Sequence, residues 1–388
     1  MDTQVGIVGA GPAGLLLAHL LGREGIDCVV LEARSREYVE HRVRAGVLEQ
    51  GTVDVLTETG VADRLHREGM VHRGIELRFG GEGHRIALSD LAGGRAITVY
   101  GQQEVVKDLI AARLDAGGPL EFEAGATEID PDGGVIRYGD GSDELRCAIV
   151  AGCDGFHGVA RAAVPEDALT VYEREYPFAW LGILARAAPS SEELIYTHHE
   201  RGFALHSMRS PEVTRNYLQV APGEDIEAWP DERIWEELQT RMALADGSFA
   251  LNEGEVFEKG IAPMRSFVAE PMRHGRLVLA GDAAHIVPAT GAKGLNLAVA
   301  DVRVLARALA AYFAHGDESG LDGYSERCLR RVWRVQHFSW WMTAMMHRLT
   351  GDPFEARLQQ SQLDYVVRSR AAATTLAENY VGLELEDV

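Results

Sequence analysis

A glycine-rich segment near the start of the chain suggests the first chemistry. The apolar run Val5–Val8 is typical of a buried strand, and the segment 9–14 (Gly-Ala-Gly-Pro-Ala-Gly) follows it directly. Helix-forming residues 15–21 come next, and a second apolar run, 28–31, ends at Glu32. This order of strand, glycine turn, helix, strand and acid predicts a βαβ unit with a GxGxxG fingerprint.

Each glycine of that fingerprint, and the acid that follows it, has a physical role in dinucleotide binding. Gly9 allows the tight turn, Gly11 lets the backbone approach a pyrophosphate, and Gly14 lets the helix pack closely against the strand. Glu32 is placed to accept hydrogen bonds from ribose hydroxyls. The pattern predicts a dinucleotide site, and by itself it does not distinguish FAD from NAD.

Two acid–glycine pairs follow two further strand-like runs. Asp154-Gly155 comes after the apolar run 148–153, and Gly281-Asp282 comes after 276–280. Ligand groups in open α/β sheets lie beyond the carboxyl ends of the strands, so these acids are suited to holding ribose hydroxyls. Each pair taken alone is also typical of an ordinary turn.

A predicted hairpin between residues 202–209 and 214–220 carries a second cluster of polar residues. Side chains on a strand alternate faces, so Ser207 and Arg209 share one face of the first strand. Arg215 and Tyr217 likewise share one face of the second strand. If the two faces coincide, the set is suited to a carboxylate, which arginine binds bidentately. A solvated hairpin with exposed arginines explains the pattern equally well from the residues alone.

Composition excludes several other classes of protein. The 388 residues are 46% hydrophobic and 25% charged, and 38 basic against 59 acidic residues give a net charge of −21. This balance argues against nucleic acid or an anionic membrane surface as a partner. Four scattered cysteines form no CxxC pair, so we expect neither a metal site nor disulfides, and a reducing, cytoplasmic location. The first residues do not resemble a secretory signal, and no apolar run is long enough to span a membrane.

Together these motifs resemble the single-component FAD-dependent aromatic hydroxylases, which carry a GxGxxG, a DG and a GD motif. Further segments resemble the 4-hydroxybenzoate 3-monooxygenase branch of that family nearly from end to end. These segments are 42–51, 152–158, 281–288, 338–343 and 378–382.

The resemblance implies a reaction. It implies hydroxylation of 4-hydroxybenzoate at C3 to 3,4-dihydroxybenzoate with O2 and NAD(P)H through a flavin C4a-hydroperoxide, as part of aromatic-acid catabolism. A sister enzyme for 3-hydroxybenzoate or 4-aminobenzoate remains an alternative. So do a flavin-dependent reductase that does not use O2 and a non-catalytic flavin-binding redox sensor.

The resemblance also implies roles for individual residues. Ser207, Arg209 and Tyr217 match carboxylate-binding residues, and Arg215 matches an arginine between substrate and flavin. Tyr196, Tyr380 and His72 match a chain that takes the substrate's phenolic proton outward, and His72 is expected to titrate near neutral pH. Besides the glycines, Glu32 and the two acid–glycine pairs, expected flavin contacts are Arg42, Arg44, Gln102, Leu295 and Asn296. Expected nucleotide contacts are Arg34, His157, Arg161 and Arg265.

The chain departs from the family pattern at three places. Family members usually have Pro-Pro-Thr-Gly where this chain has Pro288-Ala289-Thr290-Gly291, so the backbone carbonyl expected near the substrate hydroxyl comes from Ala289. Asn216 replaces a common aromatic residue, on the strand face opposite Tyr217. Ala33 stands where many NADPH-specific relatives place arginine, so we expect NADH to be used at least comparably well.

These residues must be positioned by a multi-part α/β fold. We expect a Rossmann-like FAD-binding domain with an inserted β-sheet substrate domain and a C-terminal helical segment. The predicted FAD-binding domain comprises 1–70, 99–170 and 266–319, and the substrate domain comprises 71–98 and 171–265. The helical region 320–388 contains many large apolar residues, namely Trp333, Phe338, Trp340, Trp341, Met342, Met345 and Met346. Core packing and a homodimer interface explain this composition equally well, and the resemblance favours a homodimer.

Overall fold

Two eight-stranded sheets and a group of C-terminal helices organise the chain. The computed structural model describes residues 2–43 and 46–384. The strands are β1 (Asp2–Val8), β2 (Cys28–Leu31), β3 (Val47–Leu48), β4 (Met70–His72), β5 (Ile75–Phe79), β6 (Glu82–Ile86), β7 (Ile97–Val99), β8 (Leu120–Glu121), β9 (Ala126–Asp130), β10 (Val135–Tyr138), β11 (Asp143–Gly152), β12 (Thr170–Arg186), β13 (Leu194–Thr197), β14 (Ala204–Ser210), β15 (Val213–Val220), β16 (Glu255–Glu270), β17 (Arg273–His274), β18 (Leu277–Leu279) and β19 (His285–Ile286).

The helices connect the sheets and then fill the C-terminal part of the chain. They are α1 (Pro12–Arg23), α2 (Arg36–His41), α3 (Gln50–Glu58), α4 (Asp63–Glu68), α5 (Leu88–Leu91), α6 (Gln102–Asp115), α7 (Asp231–Met242), α8 (Gly294–His315), α9 (Ser319–Asp322), α10 (Tyr324–Met346), α11 (Pro353–Arg368) and α12 (Arg370–Val381). Across the described residues, none of these helices is both long enough and apolar enough to cross a membrane.

The first sheet is mostly parallel and has the order β17-β18-β11-β1-β2-β8, with β10 and β9 added beside β11. Strand β2 is buried along its whole length, as expected of a strand covered by helices on both faces. Helix α1 follows β1 and packs against α8 and α6, with Leu15, Leu17 and Leu21 fully buried. The βαβ unit predicted from the sequence is confirmed.

The second sheet has the order β19-β16-β12-β15-β14-β13-β5-β6 and is mainly antiparallel. Its two long strands, β12 and β16, pair along most of their length and reach from the second sheet toward the first. The hairpin predicted between 202 and 220 is confirmed as β14 and β15. A small third sheet has the strand order β3-β7-β4.

The predicted α/β class with C-terminal helices is confirmed. Helix α8, which contains Leu295 and Asn296 in its first turn, extends to His315. Strands of the second sheet come from 75–86 and 170–286, which overlaps the predicted substrate domain at 71–98 and 171–265. The domain boundaries themselves stay a prediction.

Candidate active site

The glycine turn after β1 leaves an open cradle at the start of α1. Gly9 has φ +102°, in the left-handed region that favours glycine. A Cβ added to Gly14 would lie 2.0 Å from the Gly9 carbonyl oxygen, so only glycine allows this contact between helix and turn. A Cβ added to Gly11 would meet nothing within 4 Å, so a ligand can approach the backbone there. This geometry fits the pyrophosphate of FAD at a helix N-terminus.

Glu32 is positioned at the carboxyl end of β2 by two backbone hydrogen bonds. Its carboxylate accepts from the N–H of Ala10 and from the N–H of Arg34, both at 2.8 Å. A carboxylate has about four acceptor positions, so two remain for ribose hydroxyls. The side chain that the sequence predicted as a ribose acceptor is therefore held rigidly beside the glycine turn.

The two acid–glycine pairs come to the same sheet edge as the glycine turn. Strand β11 lies between β1 and β18, and all three are parallel, so their carboxyl ends coincide. Asp154 accepts from the N–H of Ala160 at 2.9 Å through Oδ2, and its buried Oδ1 has no donor among the described residues. Burial raises the pKa of Asp154. Gly155 has φ +76° and Gly281 has φ +64°, and Asp282 is exposed. An acceptor without a donor at this edge fits a hydroxyl of a bound FAD.

Asn296 and Leu295 lie in the first turn of α8, but the Asn296 side chain is already occupied. Its Oδ1 accepts from the N–H of Glu49 at 2.9 Å, and its Nδ2 donates to the Val47 carbonyl at 3.0 Å. The side chain therefore holds the segment before α3. Only the backbone N–H groups of this first turn are left to face a cofactor.

The other predicted flavin contacts are less informative. Gln102 begins α6 and is partly buried. Arg42 is exposed, and its guanidinium lies 5.7 Å from the ring centre of Tyr38. Arg44 lies outside the described residues.

Three of the four predicted nucleotide contacts meet around Phe156. The guanidinium groups of Arg161 and Arg265 lie 4.8 and 4.9 Å from the Phe156 ring centre, and His157 packs against its edge. Arg161 also donates to the Phe156 and Ala283 carbonyls, at 2.6 and 2.9 Å. Arg34 does not join this group: its guanidinium lies 5.4 Å from the ring centre of Tyr38.

Strand register places the predicted substrate residues on one face of the second sheet. Ser207 pairs with Arg215, and Leu205 pairs with both Tyr217 and Tyr196 on its two neighbouring strands. Directly paired residues of antiparallel strands share a face, so the two faces that the sequence left unrelated do coincide. Asn216 pairs with His206 on the opposite face, as expected, and its Oδ1 accepts from His206 Nδ1 at 2.7 Å there.

We call Ser207, Arg209, Arg215 and Tyr217 the arginine end of this face. Arg209 donates to the Ser207 hydroxyl at 3.1 Å, and the guanidinium of Arg215 lies 5.2 Å from the Tyr217 ring centre. Burial lowers the pKa of Arg209 to about 10, against the opposing effect of Tyr217. The Nε atoms of both arginines and Nη1 of Arg215 are buried without an acceptor among the described residues.

We call Tyr196, Tyr380 and Thr290 the tyrosine end. The Tyr196 and Tyr380 hydroxyls are 2.5 Å apart, and Tyr196 also donates to the Thr290 carbonyl at 3.2 Å. Both tyrosines are 1% exposed. Burial raises the pKa of each phenol, so both stay protonated near neutral pH. The pair predicted from residues 184 positions apart is therefore in direct contact.

His72, the third member of the predicted proton chain, is not joined to these tyrosines by a hydrogen bond. Both of its ring nitrogens are buried without a partner among the described residues. Burial lowers its pKa to about 4, against a smaller opposing effect of Glu193. The expectation that His72 titrates near neutral pH is wrong for this arrangement, because an apolar environment disfavours the imidazolium.

Two groups near the site were not singled out from the sequence. Lys293 is 1% exposed and donates to Glu49 at 2.5 Å and to the Tyr380 carbonyl at 2.9 Å. This pair joins residues 244 positions apart, so spacing gives no signal for it. Glu49 lies within the resembling segment 42–51, whereas Lys293 lies outside all of the resembling segments.

An aromatic layer lies behind the arginine end. Trp180 packs 4.7 Å from Tyr217 and donates through Nε1 to His347 Nε2 at 2.7 Å. His347 is fully buried, and its Nδ1 bonds the Thr343 carbonyl at 3.0 Å. Burial lowers the pKa of His347 to about 3, so the ring is neutral and one tautomer satisfies both contacts.

Comparisons with known proteins agree with this geometry. The sequence pattern of a family described as FAD binding domain matches residues 2–339. The chain is 49% identical to p-hydroxybenzoate hydroxylase of Acinetobacter baylyi over all of this chain and 96% of that protein. It is 28% identical to 3-amino-4-hydroxybenzoate 2-monooxygenase of Streptomyces platensis over 87% of this chain and 86% of that one.

The fold has close structural neighbours as well. The crystal structure of p-nitrophenol 4-monooxygenase from Pseudomonas putida superposes with a TM-score of 0.84 at 22% identity and covers 99% of both chains. At this identity the similarity concerns the fold.

Proposed function

Because this chain belongs to the FAD binding domain family and is a flavoprotein monooxygenase, we propose that it hydroxylates 4-hydroxybenzoate at C3. The product would be 3,4-dihydroxybenzoate, with O2 and a reduced nicotinamide nucleotide as co-substrates. The relative that supports this substrate is 49% identical over the whole chain. The residues of the two ends of the substrate face supply the physical argument.

The observation that carries the proposal is a pair of partly buried arginines whose buried N–H groups meet no anion among the described residues. Among the described residues, no carboxylate lies within ion-pair distance of Arg209 or Arg215, although both have buried N–H groups without acceptors. Uncompensated buried cations are costly, so the arginine end favours an anionic ligand. The Ser207 and Tyr217 hydroxyls are placed to add directional hydrogen bonds to a carboxylate.

The distance between the two ends suits a single aromatic ring. Tyr196 and Ser207 are separated by one strand spacing and two residues along the strand, which is about 8 Å between Cα atoms. A benzoate whose carboxylate binds Ser207 and Arg209 directs its para substituent toward Tyr196. The sheet register thus allows one benzoate ring to contact both ends, and the para preference is supported by the 49% identical relative.

Bound FAD supplies the transfer of electrons from the nicotinamide to O2 and of one oxygen atom to the ring. The chain's own contribution to the ring chemistry is deprotonation of the phenol. Tyr196 is a protonated donor beside the position of the phenol oxygen, and a hydrogen bond to the phenolate favours the anion. Each pKa unit of this preference corresponds to about 1.4 kcal/mol. Electron density from the phenolate activates the adjacent ring carbon.

The proton leaves through the tyrosine pair in this proposal. Tyr196 and Tyr380 are 2.5 Å apart, so a proton can pass between their oxygens without movement of either ring. His72 is a neutral imidazole, because its pKa of about 4 keeps it unprotonated above that pH, so in this proposal it relays the proton by accepting at one ring nitrogen and releasing a proton from the other to solvent. The role of His72 requires a bridging group between its ring and Tyr380.

NADH is the proposed reductant, used at least comparably to NADPH. The Phe156 group, with His157, Arg161 and Arg265, offers cations beside an aromatic ring for a dinucleotide. On α2 the acidic side chains of Glu37 and Glu40 oppose a 2′-phosphate, and Arg36 is neutralised by Glu40 at 2.6 Å.

The direct test is product analysis. Purified protein with FAD, 4-hydroxybenzoate, NADH and air should consume O2 only with substrate present, and chromatography should detect 3,4-dihydroxybenzoate. Parallel reactions with 3-hydroxybenzoate and 4-aminobenzoate test the sister activities. NADH oxidation without O2 uptake would instead indicate a reductase, and no substrate-stimulated oxidation would contradict both.

We also propose a homodimer that uses α11. Phe354, Leu358 and Tyr365 are 69%, 55% and 60% exposed, and their spacing places them along one side of the helix. Of the apolar residues noted in α10, Phe338, Met342, Met345 and Met346 are buried core, whereas Trp333 and Trp340 are partly exposed. Light scattering should give twice the 42.4 kDa chain mass. Phe354→Glu with Leu358→Glu should give the monomer, and an unchanged mass would place the interface elsewhere.

A further inference from the structure

Ala289 makes a contact that the family's usual proline cannot make. Its backbone N–H donates to the sulfur of Met264 at 3.2 Å. Proline has no N–H, so the contact exists only because this position is alanine. Met264 is 5% exposed and lies on β16, within the apolar cluster that also contains Tyr196 and Tyr380.

The segment that follows Ala289 shapes the tyrosine end. The Thr290 carbonyl accepts from Tyr196 at 3.2 Å, and the Thr290 hydroxyl contacts the Thr343 hydroxyl at 2.9 Å. A Cβ added to Gly291 would meet the Ser339 hydroxyl at 2.8 Å, so α10 lies directly against this residue. These contacts hold Thr290 and Gly291 from one side. Ala289 itself makes two contacts: its carbonyl accepts from the Ala292 N–H at 2.9 Å, which closes the turn, and its N–H meets the Met264 sulfur.

Replacing proline by alanine removes a covalent restraint. The proline ring fixes φ near −65°, whereas alanine is free to adopt other values. Residues 289–291 form one turn of 3₁₀ helix, which has φ in the range that proline provides. The Ala289 conformation is therefore maintained by noncovalent contacts, namely the Ala292 N–H on its carbonyl and the Met264 sulfur on its N–H.

We propose that Met264 is a positioning residue whose sulfur holds the Ala289 N–H and thereby sets the 289–291 turn against Tyr196. This inference rests on the proposed hydroxylase function and deepens it. The thioether is a weak acceptor, but the donor is partly buried beside it and the methionine is enclosed by the core. Movement of this turn would shift the Thr290 carbonyl relative to the Tyr196 hydroxyl and so disturb the orientation of the substrate's phenol oxygen.

The test is a double-mutant cycle between the sulfur and the N–H. Met264→Leu keeps the volume and removes the acceptor, and Ala289→Pro removes the donor in a backbone conformation that accepts proline. The measurement is 3,4-dihydroxybenzoate formed per NADH oxidised, with hydrogen peroxide measured as the remainder. A spectroscopic titration of the bound substrate's phenol provides a second readout that general loss of packing would not shift.

We expect Met264→Leu to lower product per NADH by about twofold to tenfold, the range for the loss of one hydrogen bond. The same substitution should raise the apparent pKa of the bound phenol, while the Kd for substrate stays unchanged because the arginine end is untouched. In the Ala289→Pro background Met264→Leu should have no further effect, since the N–H is already absent. Met345→Leu is the matched control: this methionine belongs to the same cluster, and no donor to its sulfur is found in the described part of the chain.

Two results would overturn the inference. One is unchanged coupling and phenol pKa in Met264→Leu, and the other is an equal loss in the Ala289→Pro background. Met264→Ile repeats the cycle if the leucine variant does not fold. Failure of the proposed function itself is seen separately, as absence of product from the unsubstituted protein.

Discussion

At the arginine end of the substrate face, Arg209 and Arg215 are partly buried cations with buried, unfilled N–H groups and no anion beside them in the described part of the chain. At the tyrosine end, Tyr196, Tyr380 and Thr290 form a neutral chain in which each group has a partner. The difference separates two tasks. Uncompensated charge provides affinity for an anionic group, whereas a satisfied neutral network can pass a proton without adding charge to the interior.

The groups packed behind each end have the opposite character to that end. The arginine end rests on Trp180 and a neutral His347, and the tyrosine end rests on the paired charges of Lys293 and Glu49. Burial lowers the pKa of Lys293, and Glu49 opposes this by stabilising the ammonium. Removing one partner of such a pair leaves an unpaired buried charge, so the pair is costly to break. Because Lys293 also donates to the Tyr380 carbonyl, the pair fixes the position of that carbonyl.

Truncating the arginine end should have the largest effect. Arg209→Ala should raise the Kd for 4-hydroxybenzoate at least about a hundredfold, or about 2.7 kcal/mol, because the carboxylate loses a charged partner. Equilibrium titration measures the Kd. Arg186→Ala, an exposed arginine beside Glu255 on the same sheet, is the matched control and should bind normally. Normal binding by the Arg209 variant would show that the carboxylate is held elsewhere.

The buried His347 behind the arginine end should make the free energy of unfolding fall as the pH is lowered. The pKa of His347 is about 3 in the folded chain, below the unfolded value of 6.5, so its neutral form contributes stability that is lost as pH falls below about 6.5. His347→Gln should reduce the loss of unfolding free energy between pH 7 and pH 5 by about 2 kcal/mol. Denaturant unfolding at both pH values measures this difference. His41→Gln, at an exposed position, is the control, and an equal change there would remove the assignment to His347.

Removing one hydroxyl at the tyrosine end should separate binding from chemistry. Tyr196→Phe should lower product per NADH about tenfold. The Kd for 4-hydroxybenzoate should change less than about threefold, because the arginine end still binds the carboxylate. Product and peroxide are quantified together. Tyr176→Phe, a buried tyrosine whose hydroxyl contacts Ser266 at 3.2 Å, is the matched control. Unchanged product per NADH in the Tyr196 variant would show that the tyrosine end is not needed for the chemical step.

The smallest effect is expected at the exposed surface of α2, away from both ends. NADH and NADPH should give kcat/KM values within about a hundredfold of one another, a range of 2.7 kcal/mol. Glu37→Arg should shift the ratio toward NADPH by about two- to fivefold, the effect of one exposed charge. Steady-state kinetics with both nucleotides provides the measurement. A shift toward NADH on this substitution would show that α2 does not face the 2′-position.

Local sequence patterns were sufficient where chemistry depends on neighbouring residues. The glycine turn and Glu32 lie within one βαβ unit, and the hairpin of β14 and β15 joins adjacent strands. In both cases the period of apolar residues and the turn residues indicate which side chains share a face. Resemblance to the hydroxylases, rather than spacing, brought Tyr196 and Tyr380 into the prediction, because no local pattern relates them.

The sequence by itself determined the βαβ unit, the hairpin and the types of residue available for an aromatic acid, since these follow from short-range backbone preferences and alternation. Only the tertiary structure decided that Arg209 and Arg215 have no anion beside them within residues 2–43 and 46–384, that His72 is neutral well below pH 7, and that Lys293 pairs with Glu49. It also decided that the Ala289 N–H meets Met264. Charge compensation and desolvation depend on which distant segments exclude water from a group, and sequence distance contains no information about that.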